Sequence, residues 1–158
     1  VAAEDQGEVL EVVMSRSGYS EDIENWSLIR WRGQVASATR GRRGQKLLTE
    51  LLAALDAMPD KALIAHELET MEGDVCALGA LGKVRGIDMK QLDPDEPEQV
   101  AAAFDVAPQL VQEIVWMNDD ECNYWWNETT KQSERITPEK RWVRMRAWVA
   151  KQIRPVCA

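Results

Sequence analysis

The stretch Lys46-Leu-Leu-Thr-Glu-Leu-Leu-Ala-Ala-Leu-Asp-Ala-Met-Pro59 decides the fold class. Leu47, Leu48, Leu51, Leu52, Leu55 and Met58 recur at the three-to-four spacing of one helical face, and Pro59 ends the run. Working outward, Asn25 caps a predicted helix from Trp26 to about Arg40. It carries Trp26, Ile29, Gly33 and Ala36 on one stripe and Leu28, Trp31, Val35 and Ala38 beside it. Gly41 and Gly44 bracket Arg42 and Arg43 and mark a break before the leucine helix. Lys61 to Glu69 is helical by composition, although Ala62 to Ala65 also fits a buried strand. Asp74 caps a helix to about Arg85, whose Ala77, Gly79, Ala80 and Gly82 leave room for another helix to pack against its backbone.

Prolines punctuate the rest of the chain. Asp93-Pro-Asp-Glu-Pro97 places acids and proline where a helix start wants them, so Glu98 to Phe104 reads as a short helix. Ala107-Pro108 opens another to about Asn118. Asp119 to Ile136 shows no period and reads as an irregular loop. Thr137-Pro138 starts a final helix with Trp142, Met145, Val149 and Ile153 on its buried stripe; Trp142 and Trp148, six apart, do not share it. The expectation is an all-α single compact domain of six or seven short helices over residues 25–158, with a helix-turn-helix-like hairpin among them. Residues 1–24 form a poorly defined extension, and Met14 reads as a natural start that leaves Val1–Val13 outside the fold.

Charge is sorted into blocks along the 158 residues. Arg30 to Lys46 holds six bases and no acid, and Arg135 to Ala158 holds seven bases and one acid; the chain as a whole carries a net charge of −8. Asp93–Glu134 alone sums to −10. Sorting of this kind predicts faces of opposite sign, a device for choosing macromolecular partners. Three widely spaced cysteines without a C-x-x-C pair argue against a disulfide framework or a zinc knuckle and point to a reducing, cytoplasmic setting. No apolar run approaches a membrane span.

The candidate partner-binding residues are therefore Arg30, Arg32, Arg40, Arg42, Arg43 and Lys46 on the basic side, Asp119, Asp120 and Glu121 on the acidic side, and Trp125 and Trp126 as aromatic anchors. The basic block either clamps phosphate or RNA or is a solvated face neutralising the acids. Residues Gln99 to Trp116 fit the helix-turn-helix pattern, with Gln109, Gln112 and Trp116 as the outward side chains of a recognition helix. Glu113 and the acids that follow repel phosphate there. Asp119-Asp120-Glu121 has no further ligand placed for a divalent cation. His66, the only histidine, lacks a partner at motif spacing, and Gly82-Lys83 lacks the first glycine and the hydroxyl of a phosphate loop. Cys76 sits in an apolar segment and reads as core. No constellation supports a specific reaction, and neither cofactor nor metal is expected.

From Met14 to about Ile153 the chain carries Met14-Ser-Arg-Ser-Gly-Tyr19, Arg30-Trp-Arg-Gly-Gln-Val-Ala-Ser-Ala38, Val75-Cys-Ala-Leu-Gly79, Arg85-Gly-Ile-Asp-Met89 and Arg141-Trp-Val-Arg-Met-Arg-Ala-Trp148. Through these segments it resembles a family of small proteins encoded by bacteriophages and prophages of proteobacteria. The resemblance supplies no activity, cofactor or catalytic residue. It implies a phage accessory gene, a class in which small acidic proteins that block host enzymes or defence complexes are frequent. The leading expectation is a noncatalytic protein that binds a host or phage protein or ribonucleoprotein, such as a CRISPR effector. In that reading Asp93–Glu121 imitates nucleic-acid charge. A nucleic-acid-binding regulator and a virion component are the alternatives.

Overall fold

The computed structural model describes residues 16–17, 25–121 and 123–155, so the expectation for Val1–Val13 lies outside it. Among the described residues the order is α1 Asn25–Arg40, α2 Arg42–Ala57, α3 Ala77–Arg85, α4 Pro97–Phe104, α5 Pro108–Asp119, β1 Tyr124–Asn127, β2 Gln132–Arg135 and α6 Pro138–Gln152, with a 3-10 turn at Met89–Gln91. The protein is mostly helical, and the all-α expectation is corrected by one small antiparallel hairpin. No helix among the described residues is long and apolar enough to cross a membrane.

The leucine face behaves as its spacing requires: Leu47, Leu48, Leu51 and Leu55 are wholly buried. They pack where α2 meets α3 and α6. The break before this helix is narrower than expected, because α2 already begins at Arg42 and only Gly41 interrupts it. Gly44 lies inside the helix, where a Cβ would stand 2.0 Å from the Ala38 carbonyl oxygen; its hydrogen lets α2 turn tightly against the end of α1.

Three local expectations are revised. Lys61–Glu69 is neither helix nor strand apart from a single bridge between Glu69 and Val75, because its amides find distant partners. Leu63 N–H donates to the Pro138 carbonyl at 3.0 Å, and Ile64 N–H to the Val75 carbonyl at 3.0 Å. α3 is capped by Cys76, whose sulfur accepts the Gly79 N–H at 3.4 Å, and not by Asp74. α3 does pack against α2 and α5, but its two glycines meet other segments: Gly79 lies against the Leu68 backbone and Gly82 against the Met89 side chain.

The segment expected to be an irregular loop forms the hairpin, with Tyr124 opposite Arg135, Trp125 opposite Glu134 and Trp126 opposite Ser133. Its turn is held by Asn127, whose side-chain oxygen accepts from the Thr129 and Thr130 amides, and by Lys131 in the left-handed region at φ 56. Four-residue strands joined without an Asn-Gly or Asp-Gly pair give too short a pattern for periodicity to register. The start of α6 follows its sequence signal, with the Thr137 hydroxyl accepting the Lys140 N–H at 3.2 Å. Trp142 Nε1 donates to the Leu55 carbonyl, so both Trp142 and Trp148 are half-buried although they face different neighbours.

One surface pair ties α6 back to α2. Asp56 accepts from Arg146 through Nε at 2.5 Å and Nη2 at 3.0 Å, and these bonds hold its carboxyl below the ordinary carboxylate value. A carboxyl depressed in the folded state stabilises fully above its unfolded pKa, and that stabilisation is lost as pH falls through the folded value. Arg146→Ala should therefore move the Asp56 titration upward in an NMR pH series while leaving stability at neutral pH nearly unchanged, as exposed pairs do.

Candidate interaction site

α1 is a helix with one packed stripe and one free one. Leu28, Trp31, Val35 and Ala38 are half-buried and form the packed side, whereas Trp26 and Ile29 on the other stripe are 76% and 59% exposed. Arg30, Arg32 and Arg40 are exposed on the same helix, which contains no acid. The exposed Arg42, Arg43 and Lys46 extend the basic tract into α2. Two of these are partly neutralised: Arg43 meets Asp105 at 3.2 Å and Lys46 approaches Glu50 at 3.8 Å, both pairs near the solvent. All six bases of the tract thus stay exposed after folding, with the exposed Trp26 and Ile29 at its N-terminal end. Sequence reasoning gave Trp26 and Ile29 no role in binding, because amphipathic spacing alone does not say which of two apolar stripes is covered.

A groove of about 920 Å³ runs between α1, α5 and α6. Arg32 and Arg40 stand on the α1 wall, Glu113, Trp116, Asp120 and Glu121 on the α5 side, and Trp148, Lys151 and Arg154 on the α6 side. Here the basic and acidic blocks face each other across a cleft instead of occupying remote faces. Arg30 lies outside this groove beside Ser27, Trp31 and Gln34, and Arg42 and Arg43 border a second hollow with Gln109.

The acidic triplet does not act as a unit. Asp119 is 2% exposed and accepts from Arg16 through Nε at 2.8 Å and Nη2 at 3.2 Å, which corrects its assignment as a partner-binding residue. Asp120 accepts from the Ser17 hydroxyl at 3.0 Å. Residues 16 and 17, within the segment expected to stand apart from the domain, are thus built into it, and Ser17 is wholly buried. Among the described residues no group of three side chains gathers to hold a metal. The exposed acids of Asp93–Glu121 are Asp93, Asp95, Glu96 and Glu98, before and within the first turn of α4, and Asp105 at its end, which meets Arg43.

A buried polar network surrounds Asp119. Asn118 accepts the Ala77 N–H at 3.2 Å and donates to the Ile64 carbonyl and to Asp119. Arg141 donates to the carbonyls of Asn118 and Leu63, and Arg144 to those of Met117, Asn118 and Glu121. These two arginines of the C-terminal basic block satisfy the last carbonyls of α5, which a helix end leaves without partners. Burial pushes the Cys76 thiol up, with Arg16 pulling the other way, so Cys76 stays a neutral thiol inside the core. His66 Nδ1 lies 3.9 Å from Asp119 on a left-handed backbone at φ 71.

The helix-turn-helix pattern does fold as a helical hairpin, with Asp105 taking the left-handed turn at φ 56. Its second helix, however, is the centre of the molecule. Gln109, Gln112 and Trp116 are each half-buried, and no residue of α5 is fully exposed, because α1, α3, α4 and α6 pack around it. A recognition helix must enter the major groove with a free face. α5 has none.

No family model, curated protein or solved structure matches this chain. The candidate site therefore rests on its own geometry. Trp125 and Trp126, expected to act together, are separated by the strand pleat. Trp125 turns inward, half-buried beneath Lys140, whereas Trp126 is 55% exposed with Tyr124 on the outer face. Trp125 is accordingly a packing residue of the hairpin.

Proposed function

We propose that this is a noncatalytic phage accessory protein that binds an acidic face of a host or phage protein or ribonucleoprotein through the outer side of α1 and the start of α2. The single observation that carries the reading is the acid-free surface of α1, where Trp26 and Ile29 stand exposed beside Arg30 and Arg32. Tryptophan and arginine are the side chains that concentrate binding energy at protein interfaces. At 76% exposure Trp26 packs little against the described residues of the fold. Binding through this surface suits an inhibitor of a defence complex, with the exposed acids at Asp93–Glu98 as a second, opposite-sign contact. With α5 packed among its neighbours, the regulator reading would rest on the basic tract and not on the helical hairpin.

Affinity capture from infected cells tests the reading. Wild-type protein should retain a stoichiometric partner, and Trp26→Ala should weaken retention about tenfold, the scale of an interface anchor. Arg42→Glu with Arg43→Glu should slow association and remove its salt dependence. Circular dichroism should be unchanged in both. Failure to recover any stoichiometric partner, or recovery unaffected by these substitutions, contradicts the proposal. Steeply salt-dependent duplex binding in a gel shift would favour the regulator instead.

A further inference from the structure

The hairpin forms a second surface, distinct from α1. Ile136 N–H donates to the Asn123 carbonyl at 2.7 Å, which marks that pair as hydrogen-bonding. In an antiparallel ladder such pairs alternate with pairs whose amides and carbonyls point away. With the register of this hairpin, Trp125 and Glu134 bond each other, whereas Tyr124 and Trp126 direct their N–H and C=O groups to the outer edge of β1. No backbone partner meets them there among the described residues.

The two edges of the hairpin differ in protection. β2 reads Gln-Ser-Glu-Arg and carries both signs of charge, the usual guard against edge pairing. β1 reads Tyr-Trp-Trp-Asn, with no charge, no proline and no bulge. A two-stranded sheet is by itself marginal in water, and β1 leaves two large aromatic side chains, Tyr124 at 63% and Trp126 at 55% exposure, on its outer face.

We propose that two copies of this chain pair their hairpins through β1, antiparallel about a two-fold axis, into a four-stranded sheet. The strand is self-complementary in one register. With Trp125 opposite Trp125 of the second copy, Tyr124 of each copy faces Trp126 of the other, and Asn123 faces Asn127. All outward amides and carbonyls of Tyr124 and Trp126 are then satisfied. The exposed rings become two cross-strand aromatic pairs on one face. No charged residue meets a like charge at the join, which matters for a chain of net charge −8. A shift by two residues would leave an aromatic side chain unpaired. The twofold arrangement is closed, so pairing stops at the dimer as long as the charged β2 edges stay apart.

Sedimentation of the full chain at about 0.1 mM, within reach of a small interface, should show a monomer–dimer equilibrium. Trp126→Lys removes both aromatic pairs and sets a cation in each, and should weaken the dimer by at least about tenfold with the helical spectrum intact. Register is read separately by cross-linking in a Cys122→Ser, Cys157→Ser background, with Cys76 buried out of reach. Trp125→Cys, on the two-fold axis, should form an intermolecular disulfide under mild oxidation, and Tyr124→Cys should not. A strictly monomeric protein, a dimer indifferent to Trp126→Lys, or equal cross-linking at both positions would overturn the proposal. So would a protein that is monomeric alone and adds an extended peptide of a different protein to β1. Loss of partner capture by the Trp26 or Arg42 and Arg43 variants with the dimer intact would keep this inference separate from the function proposed above.

Discussion

Asp119→Ala should destabilise the protein by about 3–5 kcal/mol, the scale seen when one member of a buried ion pair is removed. The Arg16 and Asp119 side chains are 5% and 2% exposed, so the substitution leaves a guanidinium in the interior without its carboxylate. Asn118 loses one acceptor for its amide as well. The cost falls on the desolvated charge left behind, and replacing both partners by apolar side chains of similar size, as in Arg16→Met with Asp119→Leu, should recover most of it. Urea unfolding of the single and double variants checks this. A loss below about 1 kcal/mol for Asp119→Ala would mean that the pair behaves as a surface one. Removal of residues 1–24 should destabilise comparably, because it deletes Arg16 and leaves Asp119 as the stranded charge.

Gly79→Ala should be the next most damaging change, at about 1–3 kcal/mol or more. A Cβ at this position would stand 1.9 Å from the Leu68 carbonyl oxygen and 3.0 Å from its carbon. Backbone cannot swing aside as a side chain does, so the loop must leave α3. That displacement also strains the Cys76 N–H bond to the same carbonyl at 3.2 Å and the sulfur cap on Gly79. Gly33→Ala is the matched control. It meets nothing within 4 Å and sits mid-helix, where alanine is favoured by roughly 1 kcal/mol, so it should stabilise. Thermal unfolding of the pair should move in opposite directions; a common direction would refute the role assigned to Leu68.

Much of the helical frame was legible because its signals are local. The leucine spacing of α2, the Thr137-Pro138 start of α6 and the Pro108 start of α5 each act through neighbours a few residues away, and each helix begins or packs there. The hairpin was not legible, since pairing Tyr124 with Arg135 depends on a turn whose left-handed residue is a lysine and not a glycine. The candidate site was legible in its charge and not in its anchors. The bases of Arg30 to Lys46 are exposed, as charged side chains usually are, but Trp26 and Ile29 carry the same periodicity as the stripe that is half-buried beside them.

By itself, then, the sequence determined the starts of most helices and how charge is grouped, because both follow from side chains close together along the chain. Only the tertiary structure decided which charges face solvent. Asp119, Arg141 and Arg144 lie in the acidic and basic blocks of the sequence, yet they are engaged inside with Arg16 and with the carbonyls at the end of α5. A buried charge must be paired wherever the fold places a partner, and for Asp119 that partner lies more than a hundred residues away in sequence.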